Sequence, residues 1–146
     1  MFIKQITIEV LETEEELKEA FPIVQELRGH LDEQQFLALV QESQVKHQYQ
    51  MLALYYKGKI AAVIGFKPMI TLYYGRFVWI CDLVTTTDER SKGFGDMLLS
   101  YVEDWAKERH YQAVALSSGL QRTDAHRFYE EKMGYDSVSY VFKKDL

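Results

Sequence analysis

The residues best placed to do chemistry stand together at Arg90-Ser91-Lys92-Gly93-Phe94-Gly95-Asp96. They lie where an apolar run, Trp79-Ile80-Cys81-Asp82-Leu83-Val84, gives way to a helical pattern. Phe94, Met97, Leu98, Tyr101, Val102, Trp105 and Ala106 recur at helical period and predict one apolar face. Gly93 and Gly95 therefore fall at a helix entrance, where backbone N–H groups lack intrahelical partners and the dipole is positive. Glycines there let a phosphate approach the amides, and Arg90 and Lys92 add charge-assisted donors. The plainer alternative is a strand-to-helix turn whose glycines serve packing and whose cations are solvated. The spacing is not that of a P-loop, because Asp96-Met97 follows Gly95 where Lys-Ser/Thr would be needed. Nor is it a dinucleotide fingerprint, because Leu98 holds the place of the third glycine.

Asp82 is the next candidate. A carboxylate inside an apolar strand beside this motif is a candidate proton acceptor, with a hydrogen-bonded structural acid as the alternative. Glu9 and His30 are lesser candidates for the same role. Cys81 reads as a small buried hydrophobe within the strand. No His/Cys cluster has metal-ligand spacing, so no metal is expected.

The surrounding elements follow from period and punctuation. Phe2 to Leu11 predicts an opening strand with Ile6, Ile8 and Val10 on one face. Thr13 with Glu16 forms a capping-box pair ahead of a helix that carries Leu17, Ala20, Phe21, Val24 and Leu27, with Pro22 as a bend or a later start. Arg28-Gly29-His30-Leu31 breaks that helix, and Asp32 with Gln35 caps a second one bearing Phe36, Leu39 and Val40. Tyr49 to Tyr56 and Lys59 to Phe66 predict two strands joined by a Lys57-Gly58 turn. Pro68 then punctuates, and Tyr74-Gly75 turns into the strand from Arg76 to Thr86. Beyond the long helix, Gln112 to Ser118 is a short strand, placed for a parallel crossover. A last helix over about Arg122 to Met133 stops at Gly134, and Ser137 to Phe142 predicts a final strand. The order β-α-α-β-β-β-α-β-α-β is that of an α/β or α+β mixed sheet.

Composition bounds the function. A chain of 146 residues, 47% of them hydrophobic, is expected to be one domain (residues 1–146) with an ordinary core. A net charge of −5 argues against a nucleic-acid-binding surface. No apolar run has the length of a membrane helix, so no membrane partner is expected. A single cysteine forms no intrachain disulfide and suits a reducing, cytoplasmic setting.

The segment R-x-x-G-x-G after a strand ending Leu83-Val84-Thr85 resembles the acyl-CoA-binding motif of the GNAT superfamily of N-acetyltransferases. A second match lies downstream. Ala125-His126-Arg127-Phe128-Tyr129-Glu130-Glu131-Lys132-Met133-Gly134-Tyr135 resembles the Ala-x-x-Phe-Tyr signature that closes those domains, with Tyr135 replacing the final Phe. The two motifs stand in family order, joined by the expected helix and strand, and the chain resembles small single-domain bacterial members. The first 70 or so residues match in architecture only.

The resemblance implies a GNAT-like acyl-CoA N-acyltransferase fold and acetyl-CoA as co-substrate. It places Leu83, Val84 and Thr85 along the pantetheine arm and Arg90 to Asp96 around the pyrophosphate. A backbone N–H near Leu83 or Val84 would polarise the thioester carbonyl. Tyr129 would act as general acid toward the departing thiolate, which suits a phenol of reference pKa roughly 10. Arg122 stands where many members carry Asn. That departure puts the usual Asn contact in question and offers a cation to a phosphate or the substrate, with His126 beside it. Arg28 and His30, at the helix–helix junction, would line the acceptor side. The implied reaction is direct acetyl transfer to a primary amine of a small molecule or protein; the alternative is a non-catalytic CoA-binding sensor or regulatory module. Tyr140 and Phe142 offer a surface for pairing two chains, so either a monomer or a homodimer is compatible.

Overall fold

The computed structural model describes residues 5–146. The Phe2–Lys4 part of the expected first strand lies outside the described residues. The chain forms two compact units, residues 1–115 and 116–146. The first carries β1 (Ile6–Val10), α1 (Glu14–Leu27), α2 (Glu33–His47), β2 (Gln50–Tyr56), β3 (Lys59–Thr71), β4 (Gly75–Thr85) and α3 (Phe94–Glu108), and β5 (Val114–Leu116) runs across the boundary. The second holds α4 (Thr123–Arg127), which continues as a π-turn over Phe128–Lys132. The fold class is thus the expected mixed α/β sheet, in the order β1-β2-β3-β4-β5.

Local chemistry explains most boundaries. Both capping boxes form: the Glu16 amide donates to Thr13 Oγ1 at 3.2 Å and the Thr13 amide to Glu16 Oε1 at 2.9 Å. The Gln35 amide likewise donates to Asp32 Oδ1 at 2.8 Å, with the reciprocal bond at 3.0 Å. α1 continues through Pro22, neither bending into a new element nor starting there. Pro22 is exposed, so water can serve the carbonyl that its missing N–H would have bonded. The β2–β3 hairpin turns at Lys57 and Gly58, both at positive φ (53° and 79°), the pattern of a type I′ turn.

β1 to β4 pair antiparallel in sequence. The Gln112 amide donates to the Arg76 carbonyl and the Val78 amide to the Ala113 carbonyl, so the chain entering β5 runs parallel to β4. β3 passes straight through Pro68, contrary to the expected break. Its pairing with β2 ends at Phe66, and Pro68 faces only Val78 of β4, an edge-like position where a missing N–H orphans no partner. The final strand also departs from expectation: no strand forms over residues 137–142. A period-two pattern assigns faces, but a strand needs a neighbouring edge to pair with, and local sequence does not supply one.

Side-chain alternation divides the sheet between two helical layers. Met51, Ala53, Val63 and Val84 pack with Leu17, Ala20, Phe21 and Val24 of α1 and Phe36, Leu37 and Val40 of α2. On the opposite face Phe66 meets Trp105 of α3, with ring centroids 5.0 Å apart. The buried face of α3 is Phe94, Leu98, Leu99, Val102 and Ala106, while Met97 and Tyr101 stand at its exposed margin. Among the described residues, no helix is long and apolar enough to cross a membrane.

Candidate active site

β4 delivers its end directly into the glycine loop. Thr86 closes the strand through its amide to the Ala61 carbonyl, a single 3₁₀ turn covers Thr87–Glu89, and α3 begins at Phe94. Gly93 is the N-cap of α3 at φ +83°, the left-handed region that glycine enters without strain. A Cβ there would meet nothing within 4 Å, so the approach to the first turn is open on that side. The first-turn amides of Phe94 and Gly95 have no intrahelical carbonyl to bond. These features fit a phosphate group.

The two loop cations are already directed. Arg90 Nε donates to the Thr85 carbonyl at 3.3 Å. Lys92 Nζ donates to Glu89 at 3.0 Å and sits 5.0 Å above the Tyr56 ring. The Glu89 hydrogen bond raises its pKa. Ser91 is held at φ +67°, and the Asp96 carboxylate accepts from Ser100 Oγ at 3.0 Å.

At the other end of the same strand segment, the β3–β4 pairing slips. Gly65 faces Asp82 and Phe66 faces Ile80, so Cys81 is the extra residue of a bulge. Past that bulge Asp82, Val84 and Thr86 alternate onto the α1 side. Asp82 meets Arg28 there: Nε donates to Oδ1 at 2.9 Å, and Nη2 donates to the Cys81 carbonyl at 2.8 Å. Asp82 Oδ2 accepts the Tyr49 hydroxyl at 2.8 Å. Each oxygen keeps a further acceptor site, and 18% of the Asp82 side chain remains exposed. Burial, together with the Asp82 charge, pushes the Tyr49 phenol well above its ordinary pKa, so this hydroxyl stays a donor. The same two causes push the Cys81 thiol up to about 11. The structure therefore joins Arg28 and Asp82, expected in separate roles, in one ion pair. His30 and Glu9 are exposed and lie outside that cluster.

The second unit holds the other motif. Arg122 precedes α4 as its N-cap, and its carbonyl accepts the His126 amide at 3.1 Å. The His126 ring Nε2 lies 2.8 Å from the Gly119 carbonyl, to which it donates. Tyr129 sits in the π-turn, half-buried, with ring contacts to Phe128 at 5.2 Å and Tyr135 at 6.1 Å. Gly134, at φ +75°, ends the turn as expected.

Three residues of the first unit were not singled out by the sequence. Tyr49 had the form of a strand start, and Gly65 of an ordinary strand glycine. A Cβ at Gly65 would lie 1.8 Å from the Tyr49 hydroxyl oxygen and 3.1 Å from Asp82 Oδ2, so the glycine makes room for that pair. An isolated glycine within a strand is the one local signal that could have marked the place. The third is Glu26, whose carboxylate holds Thr86 and Thr87; nothing local marks it among the glutamates of α1.

Comparison with known proteins gives an independent view. Residues 10–135 match the family model described as the acetyltransferase (GNAT) family. The chain is 45% identical over 141 residues to the uncharacterized N-acetyltransferase YhdJ of Bacillus subtilis (strain 168), covering 97% of this chain and 99% of that one. It is 29% identical over 90 residues to an aminoalkylphosphonate N-acetyltransferase of Salmonella typhimurium, covering 61% of this chain and 58% of that one. Among solved structures, the aminoglycoside N-acetyltransferase AAC(6')-Iy in complex with CoA superposes at a TM-score of 0.83 with 12% identity, covering 100% of this chain and 99% of that one.

Proposed function

The chain belongs to the GNAT acetyltransferase family, and on that premise we propose that it moves an acetyl group from acetyl-CoA directly to a primary amine of a small molecule or protein. The observation that carries this reading is the open, left-handed Gly93 turn at the start of α3, reached from the end of β4 through one 3₁₀ turn. Acetyl-CoA, when bound, supplies the acyl group as an activated thioester. The loop amides and Arg90 would hold its pyrophosphate. The backbone of Leu83, Val84 and Thr85 would align its arm, and one of those amides would stabilise charge developing on the carbonyl oxygen. In the first unit this segment pairs with β3, with Ile64↔Leu83, Val63↔Val84 and Ala62↔Thr85, while the bonds toward β5 lie upstream at Arg76 and Val78.

An amine must lose a proton to attack and the departing sulfur must gain one. Asp82, held by Arg28 and Tyr49 beside the bulge, is the proposed acceptor of the amine proton. Tyr129 is the proposed donor to sulfur, by its match to the closing signature. Arg122 and His126 would add contacts to the cofactor, and Arg28 and His30 to the acceptor. Holding both reactants in one geometry supplies much of the remaining acceleration. The lone cysteine suits a cytoplasmic setting.

The test is a thermal-shift series with acetyl-CoA, CoA, ATP and NAD, followed by an amine panel read by thiol release. Ligand at about a hundred times Kd adds roughly 2.7 kcal/mol, about 5–10 °C at this size. The panel would include an aminoalkylphosphonate, an aminoglycoside and a lysine peptide. A shift with the CoA species alone, followed by amine-dependent thiol release, is expected. An equal shift with ATP would remove the cofactor assignment, and binding without turnover on any amine would favour a CoA-binding sensor.

A further inference from the structure

The last turn of α1 reaches the glycine loop through one carboxylate. Glu26 Oε2 accepts the Thr86 hydroxyl at 2.6 Å, and Oε1 accepts both the Thr87 amide at 3.0 Å and the Thr87 hydroxyl at 2.9 Å. Thr86 is the N-cap of the 3₁₀ turn and makes no side-chain cap of its own. Glu26 supplies that cap from 60 residues away in sequence. Elsewhere in residues 86–93 the cationic side chains bond locally: Arg90 returns to Thr85 and Lys92 to Glu89.

The carboxylate is costly where it stands. A negative charge next to a loop that receives phosphates repels them, by like-charge interaction. Burial works to raise its pKa, yet the hydrogen bonds from Thr86 and Thr87 and the charge of Arg90 outweigh burial and hold it below the ordinary carboxylate range. Its charge is thus taken up by loop donors and by the cation that would face the phosphate.

Building on the acetyl-CoA reading, we propose that Glu26 is a positioning residue for the cofactor: it fixes the Thr86–Thr87 corner, so that the amides before α3 are set before the ligand arrives. A loop ordered in advance spares the ligand the cost of ordering it. The proposal concerns affinity for acetyl-CoA, and the acyl-transfer step itself is not routed through Glu26.

The experiment compares wild type, Glu26→Ala and Glu26→Gln in CoA Kd, acetyl-CoA KM, kcat and apo melting temperature. Glu26→Ala should raise Kd and KM about tenfold, with kcat within about twofold. Glu26→Gln should recover most of the loss, because its carbonyl oxygen can still accept from Thr87 and its amide can bond the Thr86 hydroxyl. Should Glu26→Ala fold poorly, Thr87→Val removes one hydroxyl contact and should raise KM in the same direction. Unchanged Kd in Glu26→Ala overturns the proposal. So does tighter binding in both variants, which would mean that the charge merely repels phosphate. Failure of wild type itself to bind CoA would instead overturn the cofactor reading beneath it.

Discussion

The Tyr49 hydroxyl donates to Asp82 Oδ2 at 2.8 Å directly above Gly65, which would bring a Cβ to 1.8 Å from that hydroxyl oxygen. β3, β4 and the start of β2 are thereby locked at one point, the point where the bulge lets Cys81 escape the ladder. Arg28 closes the cluster from the end of α1 with its bonds to Asp82 and the Cys81 carbonyl. A bulge of this kind re-aims side chains. Here it turns Asp82 toward α1 and keeps the strand beyond it in register.

Gly65→Ala should therefore destabilise the fold. The Tyr49 ring is buried, and both its hydroxyl and its Cζ, at 1.8 and 2.6 Å from the new Cβ, would have to shift. Overpacking of this type costs about 1–3 kcal/mol, seen as a fall in melting temperature of roughly 2–10 °C. Tyr49→Phe alone should cost about 1–3 kcal/mol by leaving Oδ2 without its donor. Combined, the two changes should lose less than their sum, because the phenylalanine removes the closest clash. Full additivity in urea melts would show that the two sites do not meet.

Cys81 should be slow toward thiol reagents in the folded protein. Its thiol is pushed up to about 11, first by burial and then by Asp82, against an ordinary value of 9.0. Only the thiolate reacts, so at neutral pH alkylation should run about 100-fold slower than for the urea-unfolded chain. The rate should climb as pH approaches 11 and level off above it. Cys81 is half-buried, short of the fully buried position expected from its strand. Rapid labelling at pH 7.5 without unfolding would contradict the raised thiol pKa.

What could be foreseen in the sequence was what local chemistry decides. Thr13-Glu16 and Asp32-Gln35 place their caps within four residues, and Lys57-Gly58 sets its own turn. The Gly93 corner was legible for the same reason. Glu26 was not, because its role depends on a strand end brought to it by the whole sheet. Tyr49 and Gly65 were hidden in the same way: each fits an ordinary strand position, and only the register of three strands makes them partners. Pro68 misled because a proline excludes the interior of a ladder but not a stretch that β2 has already left. The π-turn at Tyr129 has no signature in helical periodicity, since one inserted residue leaves the apolar spacing nearly intact.

Asp82→Asn separates the two roles open to this residue. As proton acceptor for the amine, its loss should lower turnover about 10²–10⁴-fold, while acetyl-CoA affinity stays near wild type. Asn keeps an oxygen for the Arg28 Nε, so the ion-pair geometry has a neutral substitute. A variant with normal turnover would make Asp82 a structural acid that anchors Arg28 and Tyr49, and the proton would then leave the amine through water.

Tyr129→Phe addresses the opposite end of the reaction. The substitution keeps the ring that contacts Phe128 and Tyr135 and removes one oxygen atom. Tyr129 lies in a π-turn, where the Met133 amide reaches back to the Phe128 carbonyl at 3.0 Å. Turns of that kind interrupt a helix at some cost in regularity and occur often at functional sites. If Tyr129 gives its proton to the leaving sulfur, the phenylalanine variant should lose about 10²-fold or more in kcat, with acetyl-CoA KM unchanged. An acyl donor whose leaving group is a stronger acid than CoA needs less proton assistance, so the deficit should shrink with such a thioester. A deficit of the same size for both donors would mean that the hydroxyl acts through position and not through its proton. Equal turnover in the variant would remove Tyr129 from the mechanism altogether and leave the thiolate to depart unaided.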